Sequence, residues 1–225
     1  MTTAPPFQRA RSPEHKAARR EAILQAAAQL AGREGVRQVT LTDIAAGVGI
    51  HKSALLRYFE TREQIFLELT GRAWREWATA VSAELAAIAA HDADAVAVVL
   101  AHEFAARPLL CDLIPHTALN LERHASVDAV RAYKLTSLGA VQDAADALAG
   151  PLPDLGAEDR RQLISTLALL AGSMYQIATP PPPLAKLYVT DPRLGHAMID
   201  LEPRLIRAAQ VTIAGLRALP NGPKP

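Results

Sequence analysis

At 225 residues, half of them hydrophobic, the chain is long enough for one large or two modest domains with a real core, and its net charge is only +1. Its one cysteine, Cys111, excludes an intramolecular disulfide framework and suits a reducing cytoplasm, and no apolar run approaches the ~18–20 residues of a membrane span. An alanine-rich, aromatic-poor composition without alternating Val/Ile/Thr runs or Asn-Gly turns points to an all-α fold.

Residues 1–13 are polar and proline-containing, lack the apolar core of a signal peptide, and read as a disordered arm. A first helix is predicted over 14–33, with Ile23, Ala26, Ala27 and Leu30 at the spacing of one buried face. Thr40 and Asp43 then form a Thr-x-x-Asp capping box that opens a second helix over Leu41, Ile44, Ala45 and Val48. Gly49 ends it, because glycine takes the left-handed angles of a sharp exit. A short third helix follows over 52–59, apolar on the side of Ile50, Leu55 and Phe59, with Lys52, Arg57 and Tyr58 on its other faces. Two short helices joined by a glycine turn, the second carrying cations, form the arrangement that sets one helix into a DNA major groove.

Thr61 and Gln64 form another capping box, opening a long helix to about residue 90. Its stripe of Ile65, Leu69, Ala73, Trp77, Val81, Leu85 and Ile88 joins head to body. Proline and glycine then divide the body into helices over 93–107, 109–114, 116–123, 128–149, 158–178 and 203–219. Pro180 to Pro183 reads as a stiff surface loop and 220–225 as a disordered tail. The expected organisation is a DNA-binding domain over 14–62 and an all-helical ligand-binding and dimerisation domain over 63–219. Charge follows the same division. Residues 1–62 hold 10 Lys and Arg against 5 Asp and Glu, and residues 63–225 hold 14 against 18, so a +5 head joins a −4 body.

The segment from residue 16 to 70 resembles the TetR family of transcriptional regulators. The resemblance rests on Ile23 to Leu30, Glu34-Gly35, Thr40 to Ala45, Gly49-Ile50, Lys52 to Tyr58-Phe59 and Thr61-Arg62-Glu63, which occur in the family's order. Three positions depart from the pattern: His51 stands where the third helix usually starts with Ser, Ser53 replaces a common Gly, and Leu56 replaces a common Tyr. The resemblance implies a DNA-binding head and dimerisation through the last two long helices.

Side-chain type assigns the candidate contacts. The first residues of a recognition helix face base edges, so His51, Lys52 and Ser53 are candidates for base contact, while Thr40, Thr42, Tyr58 and Arg62 suit phosphate and Arg57 suits either. Candidate ligand-binding residues are the scarce large side chains Trp74, Trp77, Phe104, Met174 and Tyr175, with Cys111, His116 and Tyr133 as polar handles. Apolar stripes at Leu163, Leu167 and Leu170 and at Leu205, Ala209, Ile213 and Leu216 suggest burial against a second copy; the alternative is packing within one chain. Asp112, His116, Glu122 and His124 lack metal-ligand spacing, no nucleophile elbow or phosphate-binding glycine loop occurs, and neither a metal, a cofactor nor an enzymatic activity is expected. The sequence therefore predicts a cytoplasmic homodimeric repressor that reads a near-palindromic double-stranded DNA operator and is released by a small-molecule effector. The rivals are an all-α small-molecule binder without DNA function and a ligand-independent activator of the same fold.

Overall fold

The computed structural model describes residues 13–219, and all regular structure among them is helical. The expected tail, and the expected N-terminal arm up to residue 12, lie outside the described residues. The head consists of α1 (Pro13–Glu34), α2 (Leu41–Gly47) and α3 (Lys52–Leu55). Both halves of the Thr40 box are formed: Asp43 N–H donates to Thr40 Oγ1 (3.3 Å) and Thr40 N–H donates to Asp43 Oδ2 (2.9 Å). Gly35 and Gly49 leave α1 and α2 at φ +84° and +68°, angles that a Cβ would strain. The third helix is shorter than the apolar spacing suggests, one regular turn followed by turns that carry Phe59 back into the core.

The body consists of α4 (Arg62–Leu85), α5 (Ala93–Ala105), α6 (Pro108–Leu119), α7 (Val127–Ala147), α8 (Ala157–Ala178), α9 (Pro182–Thr190) and α10 (Leu201–Ala218). Thr61 caps α4 through Gln64 N–H (3.1 Å), whereas Gln64 Oε1 accepts from Glu60 N–H (2.8 Å) rather than from Thr61. The expected boundary at residue 62 falls at the start of α4, whose first two turns still serve the head. Ile65, Phe66 and Leu69 pack with Ile23, Leu24, Ile44, Leu55 and Phe59. Leu113 of α6 and Leu121, in a 3-10 turn, join the same cluster, so the three-helix head borrows its floor from the body. The remaining core lies among α4, α5, α6, α7, α8 and α10.

Two proline readings change. The predicted break at Pro115 is absent, because α6 runs through it. Proline costs a helical hydrogen bond and needs room for its ring; Gly172 of α8 provides the room, since a Cβ there would lie 2.9 Å from Pro115 Cδ and 3.0 Å from Ile114 Cγ2. The Pro180–Pro183 loop is also shorter than predicted. Pro182 and Pro183 occupy the first turn of α9, where a missing N–H costs nothing.

The dimer residues need correction. Leu163, Leu167, Leu205, Ala209, Ile213 and Leu216 are buried inside a single chain, and Leu170 is half-buried. Their stripes face the body core, where α8 meets α6, α7 and α10, and α10 meets α5. Both helices carry further apolar residues on their outer faces, at Leu169, Ile177 and Val211.

The close approach at Gly172 gives a test. Gly→Ala within a helix ordinarily stabilises by up to ~1 kcal/mol. Gly139 of α7 has open space around its Cβ position, so Gly139→Ala should show that gain. Gly172→Ala should instead lose roughly 1 kcal/mol or more, because overpacking against a proline ring costs about 1–3 kcal/mol. Urea unfolding followed by circular dichroism would read both signs.

Candidate nucleic-acid interface and body cavity

His51, which begins α3 in place of a hydroxyl residue, performs the cap with its ring. Its Nδ1 accepts from Ser53 N–H (3.3 Å) and lies 2.9 Å from Ser53 Oγ. Accepting at Nδ1 puts the proton of the neutral ring on Nε2. His51, Lys52, Ser53 and Arg57 are exposed along this turn, with Thr42 exposed on α2; Tyr58 is half-buried against the head core. The Thr40 hydroxyl donates to Asp43 Oδ2 (2.6 Å), and this bond holds the Asp43 carboxyl below its ordinary range.

Arg62 is not a phosphate contact in this structure. Its guanidinium donates to the carbonyls of Val36 and Val39, pairs with Glu63 (3.1 Å) and lies 4.6 Å over the Phe66 ring. Those two carbonyls lie in the turn between α1 and α2, so Arg62 clamps that turn to α4. Arg20 is a second clamp. It donates to the Tyr58 carbonyl (2.7 Å), pairs with Glu68 and lies 4.0 Å over Phe59, while Arg72 bridges Glu21 (2.6 Å) and Glu68 (3.1 Å). No local signal in the sequence marks Arg20, because its partners lie 38 and 48 residues away.

Head and body meet at Asp112 on α6. This buried carboxylate accepts from Val36 N–H (2.7 Å) with Oδ2 and from Gln176 Nε2 of α8 (2.8 Å) with Oδ1. His116 Nε2 lies 3.6 Å away, and burial lowers the imidazole's pKa against the pull of Asp112. Among the described residues, no three His, Cys, Asp or Glu side chains gather as a metal site would require. Here Asp112 is a hydrogen-bonded tie.

The predicted ligand residues separate. Trp77 and Phe104 are fully buried and stacked, with centroids 4.6 Å apart, and Trp74 stands edge-on to both at 5.4 and 6.3 Å. Cys111 is buried too. Its thiol donates to the Phe104 carbonyl (3.2 Å), and burial, aided by the Asp112 charge, pushes its pKa up to about 12. Trp77, Phe104 and Cys111 are therefore core. Met174 lies in a groove between α8 and α10, and Tyr175 and His116 are half-buried near Asp112. Only Trp74 and Tyr133 of the eight line the open cavity of about 320 Å³ that lies between α4, α6, α7 and α8. The rest of its wall includes Ile114, Thr117, Glu122, Lys134, Val141 and Leu169. Glu122 and Lys134 escaped the sequence reading as ligand residues because they are ordinary charged positions until the fold pairs them.

This is the build of a helix-turn-helix regulator, with a basic head on a helical body. Residues 23–69 match the family model for bacterial regulatory proteins of the tetR family, and residues 71–220 match that for the tetracyclin repressor-like C-terminal domain. The chain belongs to the TetR family of transcriptional regulators. A curated relative, the HTH-type transcriptional repressor BepR of Brucella suis biovar 1, is 46% identical over 54 residues, which are 24% of this chain and 26% of that protein. A TetR regulator from Rhodococcus sp. RHA1 shares the fold with TM-score 0.59 at 16% identity, over 92% of this chain and 100% of that one. Thermus thermophilus FadR, solved with lauroyl-CoA, gives 0.56 at 14% identity over 92% and 98%. RolR, solved with resorcinol, gives 0.55 at 17% over 95% and 98%. Among the described residues, no single helix is long and apolar enough to cross a membrane.

A thiol with a pKa near 12 is thiolate in only about 1 molecule in 10,000 at pH 8. Native protein should therefore leave Ellman's reagent unreacted over minutes, while protein in 6 M guanidinium (~6 M, fully denaturing) titrates one thiol at once.

Proposed function

We propose that the chain is a homodimeric repressor that binds a near-palindromic operator and is released when a small molecule enters the body cavity. The observation that carries the DNA reading is the division of labour in the head. Arg20 and Arg62 are spent inside, whereas Lys52, Arg57, His51 and Ser53 stand exposed on and just after α3. BepR, similar to the chain over its head, is a repressor, which favours that sign of regulation. Thr42 and Tyr58 are proposed phosphate contacts, with Thr40 a weaker donor because its hydroxyl proton is committed to Asp43.

Release follows from α6. Ile114 and Thr117 line the cavity, Asp112 holds the head turn, and Leu113 lies in the head core, all within six residues of one helix. A ligand that displaces α6 tilts the head. In a dimer it thereby changes the spacing of two recognition helices that must sit about 34–36 Å apart. The effector needs only a higher affinity for the tilted state.

For the dimer, the outer faces of α8 and α10 replace the buried stripes. A groove between them is lined by Leu170, Met174, Ala208 and Val211, with Ile177 exposed further along α8. Helix α9, with Leu184, Leu187 and Val189 exposed, rises from the same edge and has no buried residue of its own.

Operator DNA selected from a random library provides the test. Lys52→Ala with Arg57→Ala should weaken specific binding at least tenfold while leaving helicity unchanged, since each base or phosphate contact contributes about 1–3 kcal/mol. Parental affinity should fall steeply between about 50 and 200 mM salt. Unchanged affinity in the double variant would move the contact surface elsewhere. Ile177→Glu with Val211→Lys should give monomers in sedimentation velocity with the parental circular dichroism spectrum; a persistent dimer would reject these faces.

A further inference from the structure

We infer that the cavity between α4, α6, α7 and α8 takes a small uncharged hydroxylated aromatic molecule, whose hydroxyl donates to Glu122 and whose ring lies against Trp74. This rests on the effector reading and assigns the effector a chemical class.

Size sets the first limit. At about 320 Å³ the cavity lies at the low end of ligand pockets, roughly 300–1,000 Å³. With about 30 Å³ of liquid volume for each water-sized group, it holds on the order of ten non-hydrogen atoms. One or two rings fill it.

Charge sets the second. The cavity's two charged side chains are Glu122 and Lys134, which neutralise each other with Lys134 Nζ 2.7 Å from Glu122 Oε1. Among the described residues no second cation lines the wall, so an anionic ligand meets a lysine already claimed and a carboxylate that repels it. Glu122 Oε1 is closed off by its surroundings and taken up by the ammonium, whereas the Glu122 side chain as a whole keeps about 20% exposure on the cavity. A carboxylate can accept about four bonds in all, so the second oxygen of Glu122 retains acceptor capacity for a ligand. Lys134, half exposed, can hold its pairing from the outer side. A ligand O–H aimed at Glu122 makes a charge-assisted bond that a buried acceptor rewards more than an exposed one does.

The walls supply the third limit. Trp74 is braced edge-on by Trp77 and Phe104, giving a rigid indole beside Ile114 and Val141. Burial raises the pKa of Tyr133, so its phenol stays neutral. Indole and phenol favour an aromatic guest by edge-to-face contact, beyond the area buried.

The experiment titrates the full chain with 2-naphthol, naphthalene, 2-naphthoate and tryptamine, following tryptophan fluorescence and heat. 2-Naphthol should bind at least tenfold more tightly than the other three. Glu122→Gln should lower its affinity about tenfold and bring naphthoate level with it, and Trp74→Leu should weaken 2-naphthol and naphthalene alike; thermal melting confirms that both variants fold. Tighter binding of naphthoate or tryptamine, lost in Trp74→Leu, would overturn the chemical class and leave the cavity as the effector site. Binding of 2-naphthol that ignores both substitutions, or no binding by any probe, would overturn the assignment to this cavity. If 2-naphthol binds as expected but does not release the selected operator, the class stands and the effector reading falls.

Discussion

A single buried carboxylate holds the two halves of this protein in register. Asp112 sits on α6 and bonds forward to the backbone of Val36 in the head and back to Gln176 on α8. Hydrogen bonds to a charged group are worth about 1.5–3 kcal/mol each, and a buried donor or acceptor left unpaired loses a similar amount. Losing this tie would leave Val36 N–H and one Gln176 hydrogen without their partner. Helix α6 is also fixed from behind, where Pro115 and Ile114 settle against the bare backbone of Gly172. It is thus held on α8, buttresses the head through Leu113, and forms one wall of the cavity. Packed interfaces of this kind shift as units rather than bend smoothly, which suits the role proposed for α6 between cavity and head.

The head depends on that support because it is too small to be self-sufficient. Its three helices bury Ile23, Leu24, Ile44, Leu55 and Phe59, but they close only against α4, Leu113 and Leu121. Two arginines lock the remaining freedom by binding carbonyls in the turns on either side of the helix-turn-helix and stacking on Phe59 and Phe66. Cations spent in this way are lost to phosphate. A count of basic residues consequently overstates the charge that the head turns outward, whereas Lys52 and Arg57 remain exposed.

In the body, an alanine-rich sequence makes helices that are apolar on more than one side. Leu163 and Leu167 of α8 go to the core while Leu169 and Ile177 of the same helix face out, and α10 divides Ile213 from Val211 similarly. Which stripe stays inside depends on the angle at which α6, α7 and α10 cross α8. The same crossings leave the gap that becomes the cavity, bringing Glu122, Lys134 and Trp74 to one wall although they lie in separate elements.

Local chemistry alone determined much of this protein. The Thr40–Asp43 box, the Gly49 exit, the short third helix with its exposed Lys52, and the all-α body follow from capping, glycine angles and 3.6-residue periodicity, all of which act within a few residues. The tertiary structure decided what those signals leave open. It turned Arg62 inward to the carbonyls of Val36 and Val39, carried α6 through Pro115, and closed Trp77, Phe104 and Cys111 into the core. It also moved the outward apolar face from Leu167 and Ile213 to Ile177 and Val211. Each of these outcomes depends on a partner dozens of residues away, and the energy that selects among a helix's faces is set by what packs against it, not by the helix itself.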